Sequence, residues 1–271
     1  METRSSELTT AAEQSPFLSV VIPAYNERDN IQAGALSTVA DYLSAQPYAY
    51  EVVVVDDGSE DDTAALAEAF AKTHDCFRVV REPHRGKAHT VIAGMLAARG
   101  AIVLFSDMDQ ATPITEIAQV LPWFERGFDV VIGSRGAERR NAPLWRKFMS
   151  RSQIVLRNLI LGFQGITDTQ CGFKAFRREA VRAIVPRLSL YGGALDGPVK
   201  GAAVTSGFDV EMLFVARKLG FQIKEVPVEW DYRHSRRVNL LKDSLRGVRD
   251  LVRIRLADWR GAYGRAHPQS K

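Results

Sequence analysis

The chain has 271 residues, 46% hydrophobic and 25% charged, enough to bury one large core or two small ones and too apolar for wholesale disorder. Its 36 Lys and Arg against 32 Asp and Glu leave a net charge of +4, spread unevenly: acidic residues gather in the first third, while arginines crowd 135–157 and 233–260. Cys76 and Cys171 belong to no CxxC pair, and the five histidines show no metal-ligand spacing, which excludes a disulfide framework and a zinc centre.

In chain order, residues 1–16 read as a loose polar tail without the basic-then-apolar layout of a signal peptide. From Leu18, short apolar runs alternate with amphipathic segments. Leu18–Ile22, Glu51–Val55, Phe77–Val80, Ala101–Phe105 and Phe128–Ile132 are predicted strands; Asp29–Ala45, Asp61–Lys72, Lys87–Ala98 and Ile114–Arg126 are predicted helices. Ser59 with Asp62 three residues later reads as a capping box for the second helix. Repeated strand-helix units predict an α/β fold, a mostly parallel sheet with helices on both faces. The second half is less regular. Leu144–Leu161 and Val210–Leu219 are predicted helices, Gly172–Phe176 and Gln222–Val228 strands, and 189–206 has the composition of a loop that flanks an acceptor. One domain over 17–235, followed by a basic amphipathic helix and tail over 236–271, is the economical division. No stretch reaches the roughly 20 apolar residues of a membrane span, so the chain is expected to be soluble or to lie on a membrane.

Neither G-x-G-x-x-G after the first strand nor G-x-x-x-x-G-K-[ST] occurs, which disfavours a dinucleotide oxidoreductase or a P-loop NTPase. The first strand runs instead into Pro23-Ala24-Tyr25-Asn26-Glu27. Pro23 is expected to end the ladder, Tyr25 offers a stacking face, and Glu27 suits a ribose hydroxyl; a plain turn with Asn26 as helix cap is the alternative. Asp56-Asp57-Gly58-Ser59 is equally ambiguous between a carboxylate for a uracil imide and a strand-to-helix turn. Arg85-Gly86-Lys87 opens the third helix, where backbone N–H groups and two cations suit a diphosphate, or form a solvated basic turn. Asp107-Met108-Asp109 closes a buried strand, where open α/β sheets bind ligands. Two alternate carboxylates there suit Mg2+ or Mn2+, which take oxygen ligands, keep several waters and complete their shell with phosphates.

Together with Gly133-Ser134-Arg135, these motifs stand in the order found in inverting family 2 glycosyltransferases of the GT-A (Rossmann-like) fold, which the chain resembles over about residues 17–260. Asp168-Thr169-Gln170-Cys171-Gly172-Phe173-Lys174 and Phe208-Asp209-Val210-Glu211-Met212-Leu213 resemble the dolichyl-phosphate β-glucosyltransferase branch, close to the dolichyl-phosphate mannose synthases. The resemblance implies transfer of a hexose, glucose from UDP-glucose, to a polyprenyl phosphate with inversion. The alternatives are a GDP-mannose-dependent mannosyltransferase, a soluble acceptor, or a non-catalytic nucleotide-sugar-binding protein. Pro23, Tyr25, Glu27, Asp57, Lys87 and Met108 would hold the donor, with Asp107 and Asp109 binding Mg2+ or Mn2+ and the diphosphate. Arg135, Arg146 and Ser150 would face the acceptor phosphate, the last two four residues apart on one helix face. Arg233, Arg236 and Arg237 lie in a segment resembling one that closes over the diphosphate. The chain departs from its relatives in Gln110, after Asp109, and in a longer 189–206 loop.

A phosphate monoester needs no general base, because its second pKa is about 6 and it is largely dianionic at pH 7. Asp209 and Glu211 lie two apart on a predicted helix, hence on different faces; Asp209 is assigned the sugar or an assisting base role and Glu211 a structural one. Towards the C-terminus, Val238, Leu241, Leu245, Val248, Val252, Leu256 and Trp259 recur at three- and four-residue steps. Lys242, Arg246, Arg249, Arg253 and Arg260 follow about a quarter turn away. That layout suits an interfacial helix on anionic lipid or one packed on the core with a basic edge. The expected partners are a nucleotide-sugar donor, a polyprenyl phosphate and a membrane surface at its cytoplasmic face. Nucleic acid is not expected, since no aromatic-basic binding motif appears.

Overall fold

The structure is a computed structural model that describes residues 15–135, 154–163, 165–191, 206–231 and 240–264. Seven strands form one sheet: β1 (Leu18–Ala24), β2 (Tyr50–Asp56), β3 (Phe77–Arg81), β4 (Ile102–Ser106), β5 (Val130–Ser134), β6 (Phe173–Arg177) and β7 (Ile223–Pro227). Their order is β3-β2-β1-β4-β6-β5-β7. All neighbours are parallel except β6, which runs antiparallel to both β4 and β5. The central strands are covered on both faces, so they read as unbroken apolar runs such as Val52-Val53-Val54-Val55.

Alternate residues feed two cores. Val53, Val55, Val103 and Phe105 face α4 (Lys87–Ala97), α8 (Arg178–Ile184), α9 (Ser206–Lys218) and α10 (Leu240–Trp259). Val52, Val54 and Leu104 face α2 (Ala35–Ser44), α3 (Thr63–Ala71), α5 (Ile117–Val120) and α6 (Pro122–Glu125). Helix α7 covers 154–161 of the expected 144–161, and its remainder lies outside the described residues. Helix α10 belongs to the first core through Leu251, Ile254 and Ala257. On the same helix Asp250 meets the Tyr191 hydroxyl at 3.0 Å. Gly207, at the start of α9, lies against both: a Cβ there would sit 2.7 Å from the Asp250 carboxylate and collide with the Tyr191 hydroxyl.

Several expectations are corrected locally. The predicted helix Asp29–Ala45 is broken into α1 (Arg28–Gln32) and α2 by Gly34, whose φ of +91° is left-handed and favours glycine. The predicted helix Ile114–Arg126 becomes a 3₁₀ turn, α5 and α6, because Pro122 has no N–H to offer the preceding turn. Pro23 does not end the ladder: β1 pairs with β2 as far as Ala24 and Asp56, although its pairing with β4 stops at Val21 and Phe105. The capping box is absent. Ser59 Oγ accepts the Asn26 N–H at 3.0 Å, and Asp61 takes the Thr63 N–H at 2.9 Å. Nor does Asn26 cap α1, where Glu27 holds that place; Asn26 has φ +53° and its Oδ1 accepts the Glu60 N–H at 2.9 Å. Both contacts stitch the β1 turn to the β2 turn.

Candidate active site

The chain builds β1, β2 and β3 outward on one side of β1, then returns to place β4 on the other. The order reverses between β1 and β4, the position at which open α/β sheets form a ligand crevice at their carboxyl ends. Pro23-Ala24-Tyr25 and Ser106-Asp107 are the two strand ends that meet there.

On the β1–β3 side, Tyr25 stacks on His84, ring centroids 4.0 Å apart and planes within 10°. The Asp57 carboxylate, buried, accepts His84 Nδ1 at 2.9 Å and the N–H groups of Arg85 and Gly86 at 2.9 Å each. Those three contacts occupy most of what a carboxylate can accept, so Asp57 shapes the turn that presents Arg85 and Lys87. Gly58 is demanded twice, by its φ of +67° and by the His84 backbone nitrogen 2.9 Å from where a Cβ would stand. Glu27 is half-buried and its carboxylate accepts Asn30 Nδ2 at 2.5 Å.

Lys87, the first residue of α4, donates its ammonium to Asp107 Oδ1 at 2.5 Å across the crevice. Desolvation works against that charge, but Asp107, with Asp209 and Asp109 behind it, outweighs it and raises the Lys87 pKa above the ordinary lysine value. Asp109 Oδ1 accepts the Ala111 N–H at 3.0 Å, and Gln110, at φ +50°, folds its amide back onto the Asp107 carbonyl at 2.9 Å. Gly172 presses on Asp107 so closely that any Cβ would strike the carboxylate. Met108, expected at the donor, has its side chain buried in the second core.

On the β5–β7 side the ion pairs sink inward. Lys174, fully buried on β6, donates to Asp209 Oδ1 at 2.6 Å and to the Cys171 carbonyl, with its ammonium 5.1 Å from the Phe105 ring centre. Arg135 grips Asp168 with Nε at 2.7 Å and Nη2 at 2.8 Å, and its backbone N–H adds a third bond. Burial opposes the Asp168 charge, but the Arg135 guanidinium overrides it and pushes the pKa down to about 2. Nε and Nη2 of Arg135, the residue expected to face a lipid phosphate, are thus held by Asp168, and the guanidinium keeps further N–H groups. Glu211 takes the structural role expected of it. It is fully buried, accepts the backbone N–H groups of Ser189 and Leu190 at 2.8 Å each and the Tyr263 hydroxyl at 2.9 Å, and burial pushes its pKa up.

The crevice therefore gathers Tyr25, Asp57, Lys87, Asp107, Asp109 and Asp209 near the β1 and β4 ends. Arg146, Ser150, Arg233, Arg236 and Arg237 lie outside the described residues, as does most of the 189–206 loop. His84 and Lys174 carry no role in the sequence reading. A lysine between Phe173 and Ala175 in an apolar strand was the available signal, since a buried ammonium needs a buried carboxylate.

Among the described residues, no three His, Cys, Asp or Glu side chains converge as a ready metal cage. The donor chemistry nevertheless fits a hard cation shared with a diphosphate: Asp107 and Asp109 supply oxygen only, and Asp107 already holds a cation, the Lys87 ammonium.

Residues 19–185 match the model for "Glycosyl transferase family 2". The chain belongs to that family. As a family 2 glycosyltransferase of GT-A architecture, it is 36% identical over 230 residues to dolichyl-phosphate beta-glucosyltransferase ALG5C of Trichomonas vaginalis, an alignment covering 79% of this chain and 64% of that protein. It thus spans a little under two thirds of that relative's length. With the dolichyl-phosphate beta-glucosyltransferase of Saccharomyces cerevisiae it shares 31% identity over 268 residues, covering 91% of this chain and 76% of the other. Among solved structures, the mannosyltransferase PcManGT of Pyrobaculum calidifontis, in complex with GDP-Man and Mn2+, superposes with a TM-score of 0.58 at 23% identity, covering 94% of this chain and 67% of that one. The last likeness supports the fold.

Proposed function

We propose that this glycosyltransferase moves glucose from UDP-glucose to a polyprenyl phosphate with inversion at the anomeric carbon, working from the cytoplasmic face of a membrane. The observation that carries the reading is Lys87 held against Asp107 at the β1/β4 crevice, a cation and a carboxylate poised where a diphosphate would lie. The glucosyl donor and lipid acceptor are supported by the dolichyl-phosphate glucosyltransferase relatives.

Tyr25, backed by His84, offers its ring to the base, and Glu27 its carboxylate to the ribose. Asp57 fixes the turn that aims Lys87 and the first amides of α4 at the diphosphate. Asp107 and Asp109 would hold Mg2+ or Mn2+ with the diphosphate; that cation, when bound, neutralises charge gathering on the departing UDP. Asp209, held by Lys174, is assigned to a sugar hydroxyl. An acceptor phosphate oxygen attacks the anomeric carbon, forming one C–O bond as the bond to UDP breaks, and the dianion needs no proton removed. Arg135, with Arg146 and Ser150, is assigned to that phosphate, and Arg233, Arg236 and Arg237 to closure over UDP.

The test is a donor screen with a short polyprenyl phosphate, reading released nucleotide and lipid-linked sugar. UDP-glucose should be the preferred donor, and Asp107→Ala and Asp109→Ala should each lower transfer roughly 10²- to 10³-fold. Near-normal transfer in both variants would sink the assignment of the site. Preference for GDP-mannose would move the donor, and donor binding without transfer to any lipid phosphate would favour a non-catalytic binding protein.

A further inference from the structure

Helix α10 carries three stripes. Leu251, Ile254 and Ala257 face the core. Opposite them Val252, Leu256 and Trp259, three residues of the apolar stripe seen in the sequence, are exposed. Arg246, Arg249, Arg253 and Arg260, all exposed, form the third, about a quarter turn from the second. On its other flank α10 meets α7, where Arg255 Nε donates to the Ile160 carbonyl at 2.6 Å. Helix α7 adds Leu159 to the same surface, and Val155 is exposed one turn before it.

The exposure is concentrated. Seven large hydrophobic residues are exposed among the described residues, and five of them, Val155, Leu159, Val252, Leu256 and Trp259, lie on these two helices. Leu159 at 77% and Trp259 at 75% are the most open. Between the helices runs an open groove of about 470 Å³ lined by Leu159, Ile160, Val252, Arg255, Leu256 and Trp259. Soluble monomers rarely leave a contiguous apolar surface of this kind without a partner.

We propose that the paired outer faces of α7 and α10 form a seat for an anionic lipid bilayer, with Leu159, Leu256 and Trp259 inserted among the acyl chains and Arg249, Arg253 and Arg260 at the phosphate level. Charge decides the occupant. A row of cations beside an apolar face, a quarter turn up, matches the depth profile of an anionic leaflet, apolar below and negative above. A second copy of this chain would bring the same arginine row with it, and like charges would oppose each other across the contact. The inference deepens the lipid-acceptor reading above by naming the surface, and its test does not pass through sugar transfer.

The test is flotation of the full chain with vesicles of phosphatidylcholine, alone or mixed with phosphatidylglycerol. The chain should float with the anionic vesicles and at least tenfold less with the neutral ones. The double variant Leu159→Glu, Trp259→Glu should lose at least tenfold in partition while keeping its circular dichroism and its transfer to a water-soluble short-chain acceptor. Arg249→Gln with Arg253→Gln should erase the preference for anionic vesicles. Failure of the wild type to float, or flotation of the Glu variant at wild-type level, overturns the proposal. A dimer in sedimentation that the Glu variant dissociates also overturns it, in favour of a second copy. Loss of transfer in the Asp107→Ala variant with intact flotation leaves the seat standing, so the two readings fail separately.

Discussion

The two sides of the crevice hold their charges differently. On the β1–β3 side, Lys87 and Asp107 form a pair whose side chains are 42% and 36% exposed. On the β5–β7 side, Lys174 is fully buried and its partner Asp209 is 18% exposed, while Arg135 and Asp168 are 20% and 15% exposed. An exposed pair contributes about 0–1 kcal/mol and exchanges partners readily. A buried pair is costly to break, because the partner left behind remains desolvated. The Lys87–Asp107 pair, expected to meet the nucleotide diphosphate, is thus loose, and the Lys174–Asp209 and Arg135–Asp168 pairs, expected to position sugar and acceptor, are fixed.

The contrast is broken most severely at Lys174. Lys174→Met keeps the stem and abandons Asp209, and should lower unfolding stability by about 3–5 kcal/mol in urea titrations. A loss under about 1 kcal/mol would place that pair in the exposed class. Asp168→Asn should cost about 2 kcal/mol at pH 7, matching a carboxyl pKa of about 2 against about 3.9 unfolded. The sign follows from the depressed folded value: this stability is fully present above pH ~4 and is lost as pH falls towards about 2, so the wild type and the Asn variant should converge across that window. Gly172→Ala should cost roughly 1–2 kcal/mol in stability. It should lower transfer more than tenfold, because the methyl displaces the Asp107 carboxylate. Lys87→Ala should be the mildest for folding, under about 1 kcal/mol by thermal unfolding, yet it should raise the donor KM and reduce kcat. Equal stability losses in Lys87→Ala and Lys174→Met would erase the distinction.

The parallel half was legible because its strands are covered on both faces and so appear as apolar runs. Asp107-Met108-Asp109 was legible as a candidate because two carboxylates stand where a buried strand ends, the edge at which open α/β sheets bind ligands. The helix breaks were harder: Gly34 and Pro122 sit inside segments whose apolar period continues across them. The reversed direction of β6 left no mark, since strand direction is set by connections made elsewhere in the fold. Residues that act through a partner were the least visible. Asp57 looked like a ligand contact because its carboxylate stands at a strand end; its bonds to His84, Arg85 and Gly86 depend on a loop 27 to 29 residues away. The partner of Arg135 was hidden in the same way, since Asp168 lies 33 residues on.

The contact at Gly207 gives the C-terminal helix a mechanical meaning. Tyr191 leads into the 192–205 segment, Asp250 belongs to α10, and both close on the first turn of α9 at a residue with no side chain to yield. Asp209 stands two residues further along that turn. Three parts of the chain remote in sequence thus meet at Gly207, and α10 packs against the first turn of α9 with no side chain between them. A helix that tilts on a lipid surface would press directly on the first turn of α9, two residues before Asp209.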